Sequence, residues 1–210
     1  MRSITPPLDA IAASTLGHYQ DRAQDFWEGT RLHDVSQNRD ALLSALPPGT
    51  PLRLLDFGCG PGRDLAAFRA LGHDVIGLDG CEAFAEMARV NGACEVLHQS
   101  FFALDLDGRV FDGVFANASL FHVPQRELPT VLGALRDALV PGGALFCSNP
   151  RSFEGDSEGF NGARYGCYLT VEGWTEAIAA AGFVLERSFL RPPGLPAASQ
   201  PWLAMVWRRP

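Results

Sequence analysis

From residue 53 onward, short apolar runs alternate with segments whose apolar residues recur every three or four positions. The short runs predict β-strands at 53–57, 74–78, 95–98, 110–116, 144–148, 183–190 and 202–207. The longer segments predict helices at 63–71, 81–90, 125–139 and 170–181. The helix at 125–139 has the clearest pattern, because five apolar residues share one face: Leu128, Val131, Leu132, Leu135 and Leu139.

The order of these elements predicts the fold. Strands that alternate with helices indicate an α/β fold with a doubly wound, mostly parallel seven-stranded sheet and helices on both faces. The last two strands follow each other without a helix, so one C-terminal strand is expected to be antiparallel. Residues 1–50 hold two further predicted helices, at about 14–29 and 34–46. We therefore expect an N-terminal helical cap at 1–50 and a sheet-containing domain at 51–210.

Composition and charge narrow the possible partners and location. The 210 residues are 47% hydrophobic and 20% charged, which suits one globular domain, and the net charge of -7 repels phosphate backbones, so no nucleic acid is expected. No apolar run approaches the roughly 20 residues of a membrane span, and Asp9 interrupts the apolar patch near the start, so no membrane association is expected. Five cysteines without C-x-x-C spacing favour no disulfide framework, no metal site and a cytoplasmic location.

Several kinds of catalytic chemistry are absent from the sequence. All 17 basic residues are arginine, so there is neither a Schiff-base lysine nor the G-K-[ST] of a P-loop. A G-x-S-x-G elbow is also missing, which argues against an α/β-hydrolase.

Three glycines at alternate positions, Gly58, Gly60 and Gly62, follow the first strand. They are explained either by a tight turn or by a backbone that passes close to a ligand in front of a helix N-terminus. The dinucleotide fingerprint G-x-G-x-x-G does not fit, because its third small residue would be Arg63 or Leu65.

The segment from Asp56 to Gly62, DFGCGPG, resembles the D-x-G-x-G-x-G signature of the class I S-adenosylmethionine-dependent methyltransferases. The resemblance continues from about Tyr19 to the C-terminus, through Asp79 at the end of the second strand, Asp112 near the start of the fourth, LVPGG after the long helix, and Ala-Gly-Phe before the final hairpin. It implies S-adenosyl-L-methionine as cofactor and in-line methyl transfer to an O, N or S atom of a small-molecule acceptor.

The resemblance also implies a set of cofactor-binding residues. They are Tyr19, Asp56, Gly58, Gly60, Gly62, Arg63, Asp79, Gly80, Ser100, Phe101 and Asn117. Asp79 is expected to accept the ribose hydroxyl protons, to cap the next helix, or both. Ser100 stands where the family usually carries an Asp for the adenine amino group, and Phe101 either flanks the adenine or joins the core. Arg63 has three possible partners: Asp64, an acid of the N-terminal segment, or the cofactor carboxylate.

The acceptor is expected beside the loop that follows the fourth strand. His122 in this loop is either a general base or a structural hydrogen-bonding group. The candidate substrate residues are Trp27, Arg31, His33, Phe121, Asn161, Arg164, Tyr165 and Tyr168. The last four belong to 151–168, a long segment predicted to lack regular structure and to be either a ligand-facing lid or a mobile surface loop.

Two other functions remain open from the sequence alone. Ser100 in place of Asp is compatible with a non-catalytic regulatory protein that binds S-adenosylmethionine. A nicotinamide-dependent oxidoreductase is the other alternative, although the fingerprint lacks its third glycine. The chain is expected to be a monomer or a homodimer, and the sequence does not choose between them.

Overall fold

A computed structural model describes residues 6–49 and 51–210 of the chain. It contains nine strands: β1 (Arg53–Phe57), β2 (Asp74–Asp79), β3 (Val96–His98), β4 (Phe111–Asn117), β5 (Leu139–Pro150), β6 (Ser157–Asn161), β7 (Arg164–Tyr168), β8 (Val184–Arg191) and β9 (Trp202–Arg208). Seven of them form one sheet in the order β3-β2-β1-β4-β5-β9-β8, and β6 pairs with β7 in a separate hairpin.

The direction of the strands confirms the predicted α/β sheet. Strands β1 to β5 pair in parallel, for example Leu54 with Val75 of β2 and with Gly113 of β4. Strand β9 lies between β5 and β8 and is antiparallel to both. A direct loop between β8 and β9 allows only this antiparallel pairing, whereas each parallel pair has its crossover connection.

Helices cover both faces of the sheet. The described helices are α1 (Leu8–Gln20), α2 (Ala23–Thr30), α3 (Ser36–Leu43), α4 (Arg63–Ala70), α5 (Glu82–Gly92), α6 (Leu128–Asp137) and α7 (Val171–Ala180). Residues of α3, α4 and α5, such as Phe68, pack with Phe115 on one face. Residues of α6 and α7, such as Leu132 and Trp174, fill the core of the other face. No described helix combines the length and the apolar character needed to cross a bilayer.

The predicted helix at 125–139 is wrong at both ends. A 3-10 turn at Gln125–Glu127 precedes α6, and Leu139 begins β5. Leu139 continues the helical apolar spacing, but it pairs with Phe111 of β4, whose amide donates to the Ala138 carbonyl at 2.8 Å. Strand pairing therefore decides the conformation of a residue whose burial satisfies both patterns.

The N-terminal prediction also requires a correction. The single helix expected at 14–29 is two helices, because Arg22 leaves helical geometry at φ -125° and ψ 19°. The expected helix at 34–46 corresponds to the shorter α3. Residues 1–5 and 50 of the predicted cap lie outside the described residues. The division into a cap and a sheet domain stays a prediction.

The segment 151–168 is not irregular, contrary to the prediction. Its second half is the β6–β7 hairpin, which turns at Gly162 with φ +61°. Asn161 pairs with Arg164, so the two turn residues are Gly162 and Ala163, and glycine at the first of them is typical of a tight hairpin turn. The hairpin packs against α1, where Ser14 Oγ donates to the Ala163 carbonyl at 2.7 Å and the Tyr165 amide donates to Thr15 Oγ1 at 2.9 Å.

Candidate active site

A cavity of about 760 Å³ lies at the carboxyl ends of the parallel strands. Asp56 near the end of β1 and the following Gly58 to Pro61 line it, Asp79 and Gly80 come from the end of β2, and Asn117 from the end of β4. Helices α1 and α2 cover it with Tyr19, Phe26 and other side chains. Small-molecule sites occupy about 300–1,000 Å³ and favour this edge of an open parallel sheet.

Two of the three glycines let backbone segments meet at the cavity. Gly58 and Gly60 have φ of +77° and +53°. A Cβ on Gly58 would lie 2.4 Å from the Cβ of Ser119 and 3.1 Å from the ring of Phe101. A Cβ on Gly60 would meet only Phe26, at 3.9 Å, so the bare backbone there leaves room in the cavity.

Gly62 does not line the cavity. It precedes α4 with φ +94°, and a Cβ on it would lie 2.8 Å from Cα of Ala88 in α5. Its position is explained by the close packing of two helices.

Asp79 presents a buried carboxylate at the end of β2. The residue is 7% exposed, and its Oδ1 and Oδ2 accept hydrogen bonds from the amides of Cys81 and Gly60, both at 2.9 Å. Burial raises the pKa of this carboxyl to about 6, against the opposing effect of the amide bonds. Each oxygen keeps a further lone pair, so the bond to Cys81 before α5 and a bond to a ligand hydroxyl are compatible.

Asp56 is the second carboxyl group of the cavity wall. It is 3% exposed, and its Oδ2 has no hydrogen-bond partner among the described residues. Burial raises the pKa of this carboxyl well above its usual value, and the nearby Asp64 and Asp79 add to the effect. A buried carboxylate without a partner favours a ligand that brings a positive charge.

Arg63 is held by two hydrogen bonds within the protein. Its Nη2 donates to Asp64 Oδ2 at 2.6 Å and its Nη1 to the Thr30 carbonyl at 3.1 Å. Arg39 holds the other oxygen of Asp64, also at 2.6 Å. Among the three possible partners of Arg63, Asp64 is therefore the one observed. Its Nε is buried without a partner among the described residues, and each Nη keeps a second N–H beyond these two bonds.

Ser100 and Phe101 line the same half of the cavity. The Ser100 hydroxyl accepts from the Phe102 amide at 3.2 Å, so one of its lone pairs is already used. The Phe101 ring stacks on Phe57, with centroids 4.2 Å apart, and also borders the cavity. One face of the Phe101 ring therefore packs in the core, and the other side of the ring borders the cavity.

Tyr19 and His122 form a hydrogen-bonded pair in the cavity wall. Nδ1 of His122 lies 2.7 Å from the Tyr165 carbonyl, and Nε2 lies 2.9 Å from the Tyr19 hydroxyl. Because a carbonyl only accepts, Nδ1 carries the hydrogen and Nε2 accepts from Tyr19. Burial lowers the pKa of His122 to about 4, so the ring is neutral at pH 7. The structural role foreseen for His122 is thus present.

The loop after β4 is held in an uncommon conformation. Ala118 lies in the left-handed region at φ +59°, and its amide donates to the Ser148 carbonyl at 2.9 Å. Asn117 Oδ1 accepts from Nδ2 of Asn38 in α3 at 2.9 Å. The Ser119 hydroxyl is buried with no partner among the described residues. Strained backbone and unsatisfied polar groups of this kind concentrate at functional sites.

Four of the candidate substrate residues line the cavity, namely Trp27, His33, Phe121 and Arg164. The remaining four lie outside the lining. Arg31 pairs with Glu28 on the surface, Asn161 is exposed at the hairpin turn, the Tyr165 ring is buried against Phe160, and Tyr168 lies beyond Phe121. Strand alternation explains part of this result, because Arg164 and Tyr165 of β7 face opposite sides.

Several cavity residues were not predicted from the sequence, including Arg191 and Trp202. Arg191 ends β8, and Trp202 begins β9 directly opposite it. The first residue of an antiparallel strand lies at the edge where its parallel neighbours end. That rule, applied to the predicted strand at 202–207, would have found Trp202.

No group of three or more His, Cys, Asp or Glu side chains within 6–49 and 51–210 is arranged to hold a metal ion.

Comparison with known proteins supplies independent information. A family model described as a methyltransferase domain matches residues 54–143. The ubiquinone biosynthesis O-methyltransferase of Roseobacter denitrificans is 34% identical over 172 residues, which are 70% of this chain and 68% of that protein. The enzyme of the same name from Dinoroseobacter shibae is 35% identical over 133 residues, which are 59% of this chain and 52% of that protein.

A solved structure is similar over nearly the whole chain. It is the 1,6-didemethyltoxoflavin-N1-methyltransferase of Burkholderia thailandensis, with 1,6-didemethyltoxoflavin and S-adenosylhomocysteine bound. Its TM-score is 0.76 at 25% identity, covering 98% of this chain and 92% of that one. By contrast, this chain spans about half to two thirds of the length of the first curated relatives.

Proposed function

The chain belongs to the class I S-adenosylmethionine-dependent methyltransferases, and from this premise we propose that it transfers the methyl group of S-adenosyl-L-methionine to an O, N or S atom of a small molecule. The observation that carries the proposal is the pair of buried carboxyls, Asp56 and Asp79, at a glycine turn that opens into the cavity. The names of the relatives, which describe O- and N-methyltransferases, support a small acceptor.

The residues at β1 and β2 suit the chemical groups of this cofactor. Asp79 has a free lone pair on each oxygen for the two ribose hydroxyls. Asp56, buried and without a partner for Oδ2, suits a cationic amino group or sulfonium. Ser100 and Phe101 border the place that we assign to the adenine. When bound, the cofactor supplies a methyl group that is already activated by the positive sulfur.

The protein then has to align the acceptor and exclude water. Helices α1 and α2 provide the cover, and Phe26 and Phe84 fix the Tyr19 ring at centroid distances of 5.6 and 5.4 Å. Alignment of this kind accounts for much of the rate of a displacement reaction. Nε2 of His122 is occupied by the Tyr19 hydroxyl, so His122 acts through Tyr19. The Tyr19 hydroxyl oxygen is the polar atom that this pair offers to the methyl acceptor.

This arrangement makes His122 a positioning residue. A neutral imidazole with a pKa of about 4 is a weak proton acceptor near pH 7. A general base is needed only when the attacking atom arrives with a proton that it must lose, so an acceptor that binds already deprotonated needs none. We place the reaction in the cytoplasm, because all five cysteines are free thiols.

Calorimetry with the purified protein tests the proposal. Wild type is expected to bind both S-adenosylmethionine and S-adenosylhomocysteine. Asp79→Ala removes two charge-assisted hydrogen bonds and should weaken S-adenosylhomocysteine binding by roughly 100-fold or more. Asp112→Asn is the matched control, because Asp112 contacts Arg53 and lies outside the cavity lining.

Thermal unfolding of each variant separates lost binding from lost folding, since Asp79 also bonds the amides of Gly60 and Cys81. Failure of the wild type to bind either ligand, or unchanged affinity in a folded Asp79→Ala variant, would contradict the proposal. Transfer of labelled methyl to a panel of small acceptors distinguishes an enzyme from a regulatory protein that only binds the cofactor.

A further inference from the structure

The cavity has two halves of different chemistry. The half at β1 and β2 carries the glycine turn and the carboxyls of Asp56 and Asp79. The other half, at the ends of β4 and β8 and the start of β9, is lined by aromatic rings and by Arg191. The rings of Phe121 and Trp202 meet edge to face there, with centroids 6.2 Å apart. Aromatic side chains in this part of the lining can pack against an aromatic ligand.

Arg191 is a half-buried cation without an acidic partner. With the Gln37 amide oxygen turned toward it, that oxygen accepts from Nη2 at 2.7 Å and from Nε at 3.2 Å. No carboxylate oxygen of the described residues lies within 4.0 Å of the guanidinium. Asp34 is the nearby acid, and its Oδ1 is bonded by the Ser36 amide at 2.9 Å.

The other cations of the cavity are differently placed. Arg63 is paired with Asp64 at 2.6 Å. Arg164 is exposed on the β6–β7 hairpin, with its guanidinium carbon 6.0 Å from the centroid of the Tyr19 ring, so solvent screens its charge. Arg191 is therefore the half-buried cation of the lining that has no carboxylate oxygen within 4.0 Å among the described residues.

An unmatched guanidinium beside an aromatic wall recognises a specific class of molecule. Arginine stays protonated in proteins and binds carboxylates with its planar donors. We propose, on the basis of the methyltransferase function, that the acceptor is an aromatic carboxylate and that Arg191 is the residue that selects its carboxylate. The net charge of the protein is -7, so its surface as a whole repels anions, and a carboxylate needs a cation inside the cavity to attract it.

Paired acids and amides test the inference on the protein saturated with S-adenosylhomocysteine. The probes are 4-hydroxybenzoate, 3,4-dihydroxybenzoate and 2-aminobenzoate, each with its neutral amide, and calorimetry measures their affinities. At least one acid should bind roughly 10-fold tighter than its amide, as expected for one charge-assisted pair. Arg191→Gln should abolish this preference, and Arg191→Lys should retain part of it.

Arg187→Gln is the matched control. Arg187 lies on the same strand and contacts Ala41 and Ser44 of the same helix region, but it does not line the cavity. Its substitution should leave the preference unchanged.

Four results would overturn the inference: no acid binds more tightly than its amide in the wild type; the preference survives Arg191→Gln; the preference is lost in Arg164→Gln instead; or Arg191→Gln weakens S-adenosylhomocysteine as much as the acid. The last result would assign the guanidinium to the amino-acid end of the cofactor. Binding of S-adenosylhomocysteine to the wild type is measured first, and its failure would overturn the proposed function and this inference together. Failure with the probes alone would overturn only the inference.

Discussion

The imidazole of His122 is held at both of its nitrogens, and these two bonds limit what it contributes. Tyr165 fixes the tautomer through its carbonyl, and Tyr19 occupies the remaining lone pair. Neither partner is near His122 in sequence, so the pair was not derivable from the chain, although both Tyr19 and His122 were predicted separately. The carboxyls Asp56 and Asp79 were predictable, because a local motif and the end of the next strand place them.

The first prediction concerns pH dependence at this pair. With a pKa of about 4, His122 should not titrate between pH 6 and 8, so the pH profile of kcat/KM there should be the same in wild type and His122→Gln. The substitution should lower kcat by roughly 10-fold, because Tyr19 loses its hydrogen-bond acceptor.

Tyr19→Phe is the companion variant. If the two groups act as a unit, the double variant should be no slower than the slower single variant. If the pH profile of kcat/KM shows an ionisation near pH 6.5 in wild type and none in His122→Gln, the imidazole is a general base instead.

Among the elements, the pair of helices α4 and α5 shows how the glycine motif serves the fold as well as the cavity. Gly62 allows the start of α4 to touch the backbone of Ala88. The motif thus combines a ligand turn at Gly58 and Gly60 with a packing contact at Gly62. The sequence predicted the turn from its pattern, but helix contact depends on a partner that arrives 26 residues later. The β6–β7 hairpin was not predicted, although Gly162 at the first position of its two-residue turn is a local sequence signal.

Gly62→Ala and Gly72→Ala separate backbone strain from packing. Both glycines have positive φ, +94° and +87°, but a Cβ on Gly72 would have nothing within 4 Å. Gly72→Ala should cost about 1–2 kcal/mol of unfolding free energy from the left-handed backbone alone. Gly62→Ala should cost roughly 3 kcal/mol or more, because the helices must also separate.

Urea unfolding measures both free energies. Equal costs for the two substitutions would mean that the contact between Gly62 and Ala88 does not constrain the helices. Any loss of cofactor affinity in Gly62→Ala should be no greater than its loss of stability explains, since Gly62 does not line the cavity.

For the molecule as a whole, the ligand-free protein carries two carboxyls whose burial opposes ionisation. The pKa of Asp79 is raised to about 6, and that of Asp56 is raised as well. A raised pKa in the folded state contributes stability that is fully present below the unfolded value and lost as pH rises through the folded value. The mostly parallel seven-stranded sheet with one antiparallel C-terminal strand was predictable at this scale. The charge balance of the cavity was not, because the position of Arg191 depends on the contact between β8 and α3.

The free protein should therefore become more stable as pH falls from 7.5 to 5.5. Thermal unfolding should show a Tm several degrees higher at pH 5.5, since two to four degrees correspond to about 1 kcal/mol in a chain of this size. S-adenosylhomocysteine should raise Tm more at pH 7.5 than at pH 5.5, because the ribose needs the ionised Asp79.

In Asp79→Asn, the rise in Tm at low pH should become smaller. A wild-type Tm that falls between pH 7.5 and 5.5, with intact folding at both values, would contradict the assignment of Asp79 and Asp56 as the groups that dominate this range.

The contact between α1 and the β6–β7 hairpin joins chain segments about 150 positions apart through Ser14–Ala163 and Thr15–Tyr165. Two neutral hydrogen bonds contribute only about 1 kcal/mol each. The contact between α1 and the hairpin, which lies over the cavity, is thus weaker than the pairing of the strands below it. We therefore expect α1 and the hairpin to separate more readily than the strands that carry Asp56 and Asp79, which would let product leave beside α1.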